Sequence, residues 1–260
     1  MKPSKVKPKG PAIPLQSLLR RTPPPALPNG RRVYAVGDIH GCLEPFEALI
    51  EAIRKDDAAR GEAETELILL GDLIDRGPDS AAVVDRAIGW EADWASLEVL
   101  LGNHEASMCA VLDGDLRWLD SWLTYGGIET LLSYGVDGEA IAGGEPEWIA
   151  EAAREAVPRA HRDWLAERPF HLSRGDYLFV HAGIRPGVPI GEQSPQDLLW
   201  IREEFLRSRA DHGATVVHGH SIRETIDERP NRIGIDTGAF MSGTLTAVGL
   251  EGRERWFLQS

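Results

Sequence analysis

The sequence predicts an α/β protein built from two packed sheets flanked by helices, in one compact domain with a helical insertion. Two observations carry this. From Arg32, short apolar runs alternate with segments of helical period, the signature of βαβ units and a largely parallel, buried sheet. After Pro169 the pattern changes to short strands separated by turn residues, where antiparallel pairing is expected.

Taken in order, "RVYAV" is a strand, and "EPFEALIEAIRK" places Phe46, Leu49, Ile50 and Ile53 on one helical face. "ELILL" is a second strand, "SAAVVDRAI" a helix and "LEVLL" a third strand. Residues 106–168 read as a helical insertion carrying Trp118, Trp122, Trp148 and Trp164, with Trp118, Trp122 and Trp148 expected to pack it. "FHLSRGDYLFVHAG", "ATVVHGH" and "NRIGIDTGAFMSGTLTAVGLEGRERWFL" supply the late strands. The catalytic domain is expected to span 31–260, after a flexible basic, Pro-rich tail over 1–30.

Composition narrows the class. An apolar content of 42% is enough for a packed core. Residues 1–37 hold four lysines, four arginines and no acid, which leaves 20 basic against 41 acidic residues for the remainder, or −21. Such a body is not expected to bind nucleic acid through a general basic surface. The tail reads as a solvated extension, with an electrostatic tether to an anionic partner or to the acidic body as the alternative. No apolar run approaches the ~18 residues of a membrane span, and no secretory apolar segment opens the chain. Two cysteines, Cys42 and Cys109, make no disulfide framework, so a cytoplasmic location is expected.

The chemistry lies at the strand ends. "YAVGDIHG" delivers Asp38 and His40, "ILLGDLIDRG" delivers Asp72, Asp75 and Arg76, and "VLLGNHE" delivers Asn103, His104 and Glu105. "LFVHAG" adds His181, and "TVVHGH" adds His218 and His220. Ligands of open α/β sheets bind beyond the carboxyl ends of strands, so these groups are expected to converge. Carboxylate, imidazole and amide donors without thiolate suit Mn, Fe, Zn or Mg. The donors are too many for one small cation with open positions. Two cations bridged by Asp72 would use them, and such a pair polarises a phosphoryl group and generates a nucleophile from water.

With these motifs in hand, the chain resembles the calcineurin-like metallophosphoesterases over roughly residues 32–252. Within them it is similar to the bacterial and phage branch of the phosphoprotein phosphatases, a likeness that "LLWIREEF" and "IDTGAFMSGTLTAV" share. The resemblance implies a four-layer α/β/β/α sandwich. It assigns Asp38, His40 and Asp72 to a first metal, and Asp72, Asn103, His181 and His220 to a second. Manganese is the first choice of cation. It makes His104 the proton donor to the leaving oxygen, with Asp75 as its carboxylate partner, and Arg76 and Arg202, with Asn103, the groups that bind the substrate phosphate. The reaction implied is direct attack of metal-bound hydroxide on phosphorus, without a phosphoenzyme.

The substrate favoured by the resemblance is a phosphoserine or phosphothreonine protein or peptide, with phosphotyrosine also accommodated. The alternative is symmetrical dinucleoside tetraphosphate hydrolysis on the same scaffold. Those hydrolases usually vary the "DRG" acid and end the third motif in Asp, so Asp75 and Glu105 favour the protein phosphatase. Ile222, two residues after His220, also agrees with the phosphatase branch rather than with many phosphodiesterase-type relatives. A catalytically dead phosphoprotein-binding module predicts a lost ligand or acid, and none is missing. His218 reads as a core or supporting residue rather than a ligand, and Cys42 and Cys109 as inert thiols. His161, His171 and His212 read as structural or surface residues. Arg185 fits a substrate contact and a surface loop equally.

Overall fold

The computed structural model describes residues 24–260. The chain runs β1 (Arg31–Val36), α1 (Leu43–Arg60), β2 (Glu64–Leu69), α2 (Ser80–Ile88) and β3 (Ser96–Val99). Next comes a helical stretch: α3 (Asn103–Leu112), α4 (Leu119–Trp122), α5 (Ile128–Ser133), α6 (Gly138–Gly143), α7 (Pro146–Ala156) and α8 (Arg159–Ala166). The second half holds β4 (His171–Arg174), β5 (Tyr177–Val180), α9 (Pro195–Trp200), α10 (Glu203–Leu206), β6 (Thr215–His218), β7 (Asp227–Arg229) and β8 (Arg232–Gly234). It closes with α11 (Ala239–Ser242), β9 (Thr246–Glu251) and β10 (Glu254–Gln259).

Two five-stranded sheets result, in the orders β10-β9-β1-β2-β3 and β4-β5-β6-β8-β7. Strand alternation explains the layering. Val33 and Ala35 of β1 face the space between the sheets with Ile68, Phe179, Val217 and Ile233. Tyr34 and Val36 of the same strand face the other way, onto Phe46, Leu49 and Ile53 of α1. Leu178, Val180 and Val216 pack on Leu198, Ile201 and Phe205 of the α9–α10 region. Helices, sheet, sheet and helices therefore form the four layers of the metallophosphoesterase sandwich.

The late strands differ from the antiparallel expectation. β5, β6 and β8 run parallel, flanked by antiparallel β4 and β7, while the β9–β10 hairpin leaves that sheet and pairs antiparallel with β1. The helical segment Pro195–Leu206 lets β5 and β6 run parallel, because a parallel pair needs a crossover rather than a hairpin. β1, β2 and β3 are also mutually parallel, so each sheet presents three carboxyl ends.

Within residues 24–30, placed in the tail on composition, Leu27 docks on the body while Pro24 and residues 28–30 are exposed. Leu27 is buried between the sheets and donates its N–H to Gly252 O, and Asp176 N donates to Ala26 O at 3.0 Å. A tether role for the first 23 residues lies outside the described residues. Among the described residues, no helix is long and apolar enough to cross a membrane.

Candidate dinuclear metal site

Both sheets deliver their strand-end side chains to one place. His181, after β5, lies with Nε2 3.4 Å from Asp72 Oδ2, after β2. His40 Nε2 and His104 Nε2 stand 3.7 and 3.8 Å from the same oxygen. Two groups of converging donors follow, His40–Asp72–His104 and Asp72–His181–His220, and Asp72 belongs to both. Asp72, Asp75, His104, His181 and His220 are all buried.

The backbone is bent to achieve this. Among the described residues, the non-glycine residues with positive φ are His40, Asp72, Asp75, Arg76 and His220, with φ of 48–73°. Each is a residue singled out from the sequence. Side chains in the left-handed region cost stability and persist where surroundings over-determine them, commonly at functional sites. The glycines act by close approach of the strand ends to one another. A methyl at Gly219 would collide with Asp38 Oδ1, and one at Gly102 with Asp72 and Glu105.

The donor set fits metal ions. His181 Nδ1 lies 2.9 Å from Leu70 O, which fixes the proton on Nδ1 and turns the Nε2 lone pair inward. That lone pair faces Asn103 Oδ1 at 2.8 Å as well as Asp72, a convergence of acceptors that a cation relieves. His40 Nδ1 is fixed in the same way on Ile74 O at 2.8 Å. His220 Nε2 is buried with no hydrogen-bond partner. Burial keeps these rings neutral, as ligands must be: His181 is lowered, His40 falls to about 3 and His220 to about 2.

The carboxylates divide by environment. Burial would raise Asp72, yet the imidazoles of His181, His104 and His40 hold it low. Asp38 is raised by burial and by the neighbouring carboxyls of Asp236 and Asp72, and it accepts the His220 N–H at 2.9 Å. Asp38 thus stands outside both convergent groups, turned toward His220 and Asp236, whereas His104 stands inside one of them.

His104 is built differently from the other rings. Its Nδ1 lies 2.6 Å from Asp75 Oδ2. Burial opposes its cation, but Asp72 and Asp75 outweigh burial and pull it up to about 9. Asp75 in turn accepts from Trp122 Nε1 at 3.1 Å and from Thr130 Oγ1 at 2.6 Å. A cavity of about 260 Å³ opens over these groups, lined by Arg76, Asn103, His104, Trp122, Trp200 and Arg202 among others. Arg76 lies against Phe240, 4.4 Å from the ring centre, and its buried Nε has no partner.

The remaining residues fall outside the cluster. His218 is buried against Phe205 with Nδ1 3.0 Å from Gly219 O. Arg185 pairs with Asp197 at 2.6 Å and with Glu204. Cys42 and Cys109 are half-buried and their thiols are raised, Cys109 to about 12, chiefly by burial. His161 is held between Tyr134 and Asp85. Trp122 packs as expected, but Trp148 is exposed.

Sequence reasoning missed Asp236, Phe240, Trp122 and Thr130 as parts of the site. Asp236 carries the same signal as the others, an acid directly after a buried strand, in "RIGID". Trp122 and Thr130 carry none, since they reach Asp75 from 47 and 55 residues away.

The model of the calcineurin-like phosphoesterase family matches residues 31–233. A relative from Methylobacillus flagellatus is 30% identical over 85% of this chain and 92% of its own length. Another, from Nitrosospira multiformis, is 29% identical over 85% and 94%. Both are named symmetrical bis(5'-nucleosyl)-tetraphosphatases. Among solved structures, a provisionally assigned diadenosine tetraphosphatase superposes with a TM-score of 0.61 at 22% identity, covering 90% of this chain and 96% of that one. A cold-active protein-tyrosine phosphatase from a Shewanella species superposes with a TM-score of 0.55 at 16% identity, covering 90% and 83%. At these identities the superpositions speak for the fold alone.

The preference for a serine/threonine protein phosphatase acting on phosphorylated protein is overturned by the near-full-length relatives. It rested on Asp75 and Glu105, and neither side chain addresses a substrate. Asp75 is enclosed by His104, Trp122 and Thr130. Glu105 accepts the backbone N–H groups of Asp72, Leu73, Ile74 and Gly102 at 2.7–3.2 Å. With the family model covering residues 31–233 and the strand-end donors meeting at Asp72, the chain belongs to the calcineurin-like phosphoesterase family.

Proposed function

We propose that the protein hydrolyses dinucleoside tetraphosphates symmetrically, giving two nucleoside diphosphates from one substrate and one water. The observation that carries this reading is the similarity to tetraphosphatases over nearly the whole of both chains. The cavity supports it, since Arg76 and Arg202 face one space beside the carboxylate–imidazole cluster. Arginine offers a fixed fork to phosphate oxygens, and a polyphosphate chain presents many.

In this reading Asp38, His40 and Asp72 hold one divalent cation, and Asp72, Asn103, His181 and His220 hold the other, with manganese the first to supply. Bound there, the pair would polarise the phosphoryl group and acidify a water. Arg76, Arg202 and Asn103 orient the phosphates for in-line displacement. His104 donates the proton from Nε2 to the departing diphosphate oxygen. Its Nδ1 is committed to Asp75 and its pKa is pulled up to about 9, which suits a proton donor better than a ligand. Half-buried free thiols and a small nucleotide substrate suit a cytoplasmic setting.

The test is a paired assay. With Mn supplied, kcat/KM is compared for diadenosine tetraphosphate and a phosphothreonine peptide, and the nucleotide products are resolved. ADP as the nucleotide product, with a large preference for the dinucleotide, is expected. ATP plus AMP, or a preference for the peptide, would remove this reading.

A further inference from the structure

We propose that Tyr125 is the stacking platform for a nucleobase of the substrate, in a subsite that spans the wall between two cavities meeting at Arg76. The inference rests on the dinucleoside polyphosphate reading and extends it from the phosphates to the base.

Tyr125 is 59% exposed, an unusual place for a large ring that packs no core. It sits in the turn Leu123–Gly127, where Gly126 has φ 115°. Gly126 O accepts the Arg76 N–H at 3.3 Å, and a methyl on Gly126 would collide with Arg76 N. The backbone that carries the ring is therefore held close against the arginine that faces the phosphates. Tyr125 lines both the 260 Å³ cavity over the metal cluster and a second of about 480 Å³, and Arg76 lines both as well. Trp200 also lines the first cavity, braced by a stack on Trp118 with ring centres 5.6 Å apart and 27° between planes. In the second, Phe240 backs the Arg76 guanidinium.

Phosphate-binding cations flanked by flat, anchored aromatic surface match a nucleotide, whose charged end and planar end must be held at once. Phosphoserine and phosphothreonine offer no ring at their phosphate, and phosphotyrosine offers one directly on it, whereas the base of a nucleotide lies a ribose away. Stacking tolerates any base, because every base has a π-face.

The test is steady-state kinetics of wild type, Tyr125→Ala and Tyr125→Phe on diadenosine tetraphosphate and on inorganic tripolyphosphate, which has neither base nor ring. Loss of one stacking contact is expected to raise KM for the dinucleotide about tenfold in Tyr125→Ala. Tyr125→Phe retains most of the wild-type value. The loss in kcat/KM on tripolyphosphate is expected to be smaller by about the same factor. Tyr125→Leu keeps apolar bulk without the ring and should give the same split if the alanine variant does not fold. Equal losses on both substrates would overturn the subsite and leave the dinucleotide reading standing. Absence of wild-type turnover on the dinucleotide would overturn that reading and the subsite with it.

Discussion

Trp122 donates its indole N–H to Asp75 Oδ1 at 3.1 Å, and the other oxygen of that carboxylate lies 2.6 Å from His104 Nδ1. The helical insertion is therefore part of the site. It reaches beneath it, and with Thr130 it fixes the carboxylate that fixes the imidazole. Asp75 itself sits at φ 73°, held through its N–H by Ser80 and Thr130. A strained backbone and three side-chain donors thus converge on one orientation of one carboxylate.

Trp122→Phe should lower kcat while leaving bound metal unchanged, because the indole N–H bonds to Asp75 and not to a candidate ligand. A hydrogen bond to a charged group contributes about 1.5–3 kcal/mol, so a loss of about tenfold or more is expected on poor leaving groups. The loss should shrink on p-nitrophenyl phosphate, whose leaving oxygen needs little protonation. Equal losses on good and poor leaving groups would show that the indole supports the fold rather than the proton donor.

The protonation of His104 gives a pH prediction of definite sign. Burial lowers the imidazole, and Asp72 and Asp75 raise it beyond that, to about 9. A folded pKa above the unfolded 6.5 means the ring stabilises the metal-free protein fully below 6.5, and that contribution is lost as pH rises through about 9. NMR of the metal-free protein should find one histidine titrating near that value. Adding Mg or Zn should move it down, since cations beside Asp72 repel an imidazolium. In Asp75→Asn the titration should fall toward the ordinary histidine range. A signal that stays put in that variant would separate His104 from Asp75.

Metal binding should stabilise the fold strongly. Burial, Asp236 and Asp72 raise Asp38, burial and Asp72 raise Asp236, and His220 Nε2 is orphaned there, so the metal-free site is electrostatically costly. A cation at 100 times its Kd adds about 2.7 kcal/mol, or roughly 5–10 °C in Tm for a chain of this size. Asp72→Asn should abolish both the Tm shift and turnover, because that carboxylate belongs to both donor groups. A metal-dependent Tm rise of undiminished size in Asp72→Asn would refute its bridging place.

What the sequence disclosed follows from locality. The strand-end donors were legible because each sits within a few residues of a buried apolar run, and Gly-Asp and Gly-Asn pairs punctuate those ends. The helical face of α1 was legible from Phe46, Leu49, Ile50 and Ile53, all buried as the spacing required. The parallel pairing of β5, β6 and β8 was not, because short runs rich in turn residues look alike whether a hairpin or a crossover joins them. Trp122 read as packing because its indole N–H finds Asp75 only after the insertion folds back. Asp236 was hidden in a segment valued for its resemblance rather than for its position after β8.

The substrate preference went astray at Glu105, and that residue carries its own prediction. Its carboxylate gathers four backbone N–H groups and pins the turn that holds Asp72 at φ 50°. Glu105→Asp shortens the reach by one methylene and cannot keep all four bonds. Since bonds to charged groups contribute about 1.5–3 kcal/mol, stability should fall by about that much. Activity should drop with it, because Asp72 loosens. The ratio of kcat/KM between diadenosine tetraphosphate and a phosphothreonine peptide should nevertheless stay where the wild type has it, since no atom of Glu105 lines the cavity. A shift of that ratio would mean that the last residue of "GNHE" reads the substrate after all, through the position of Asp72.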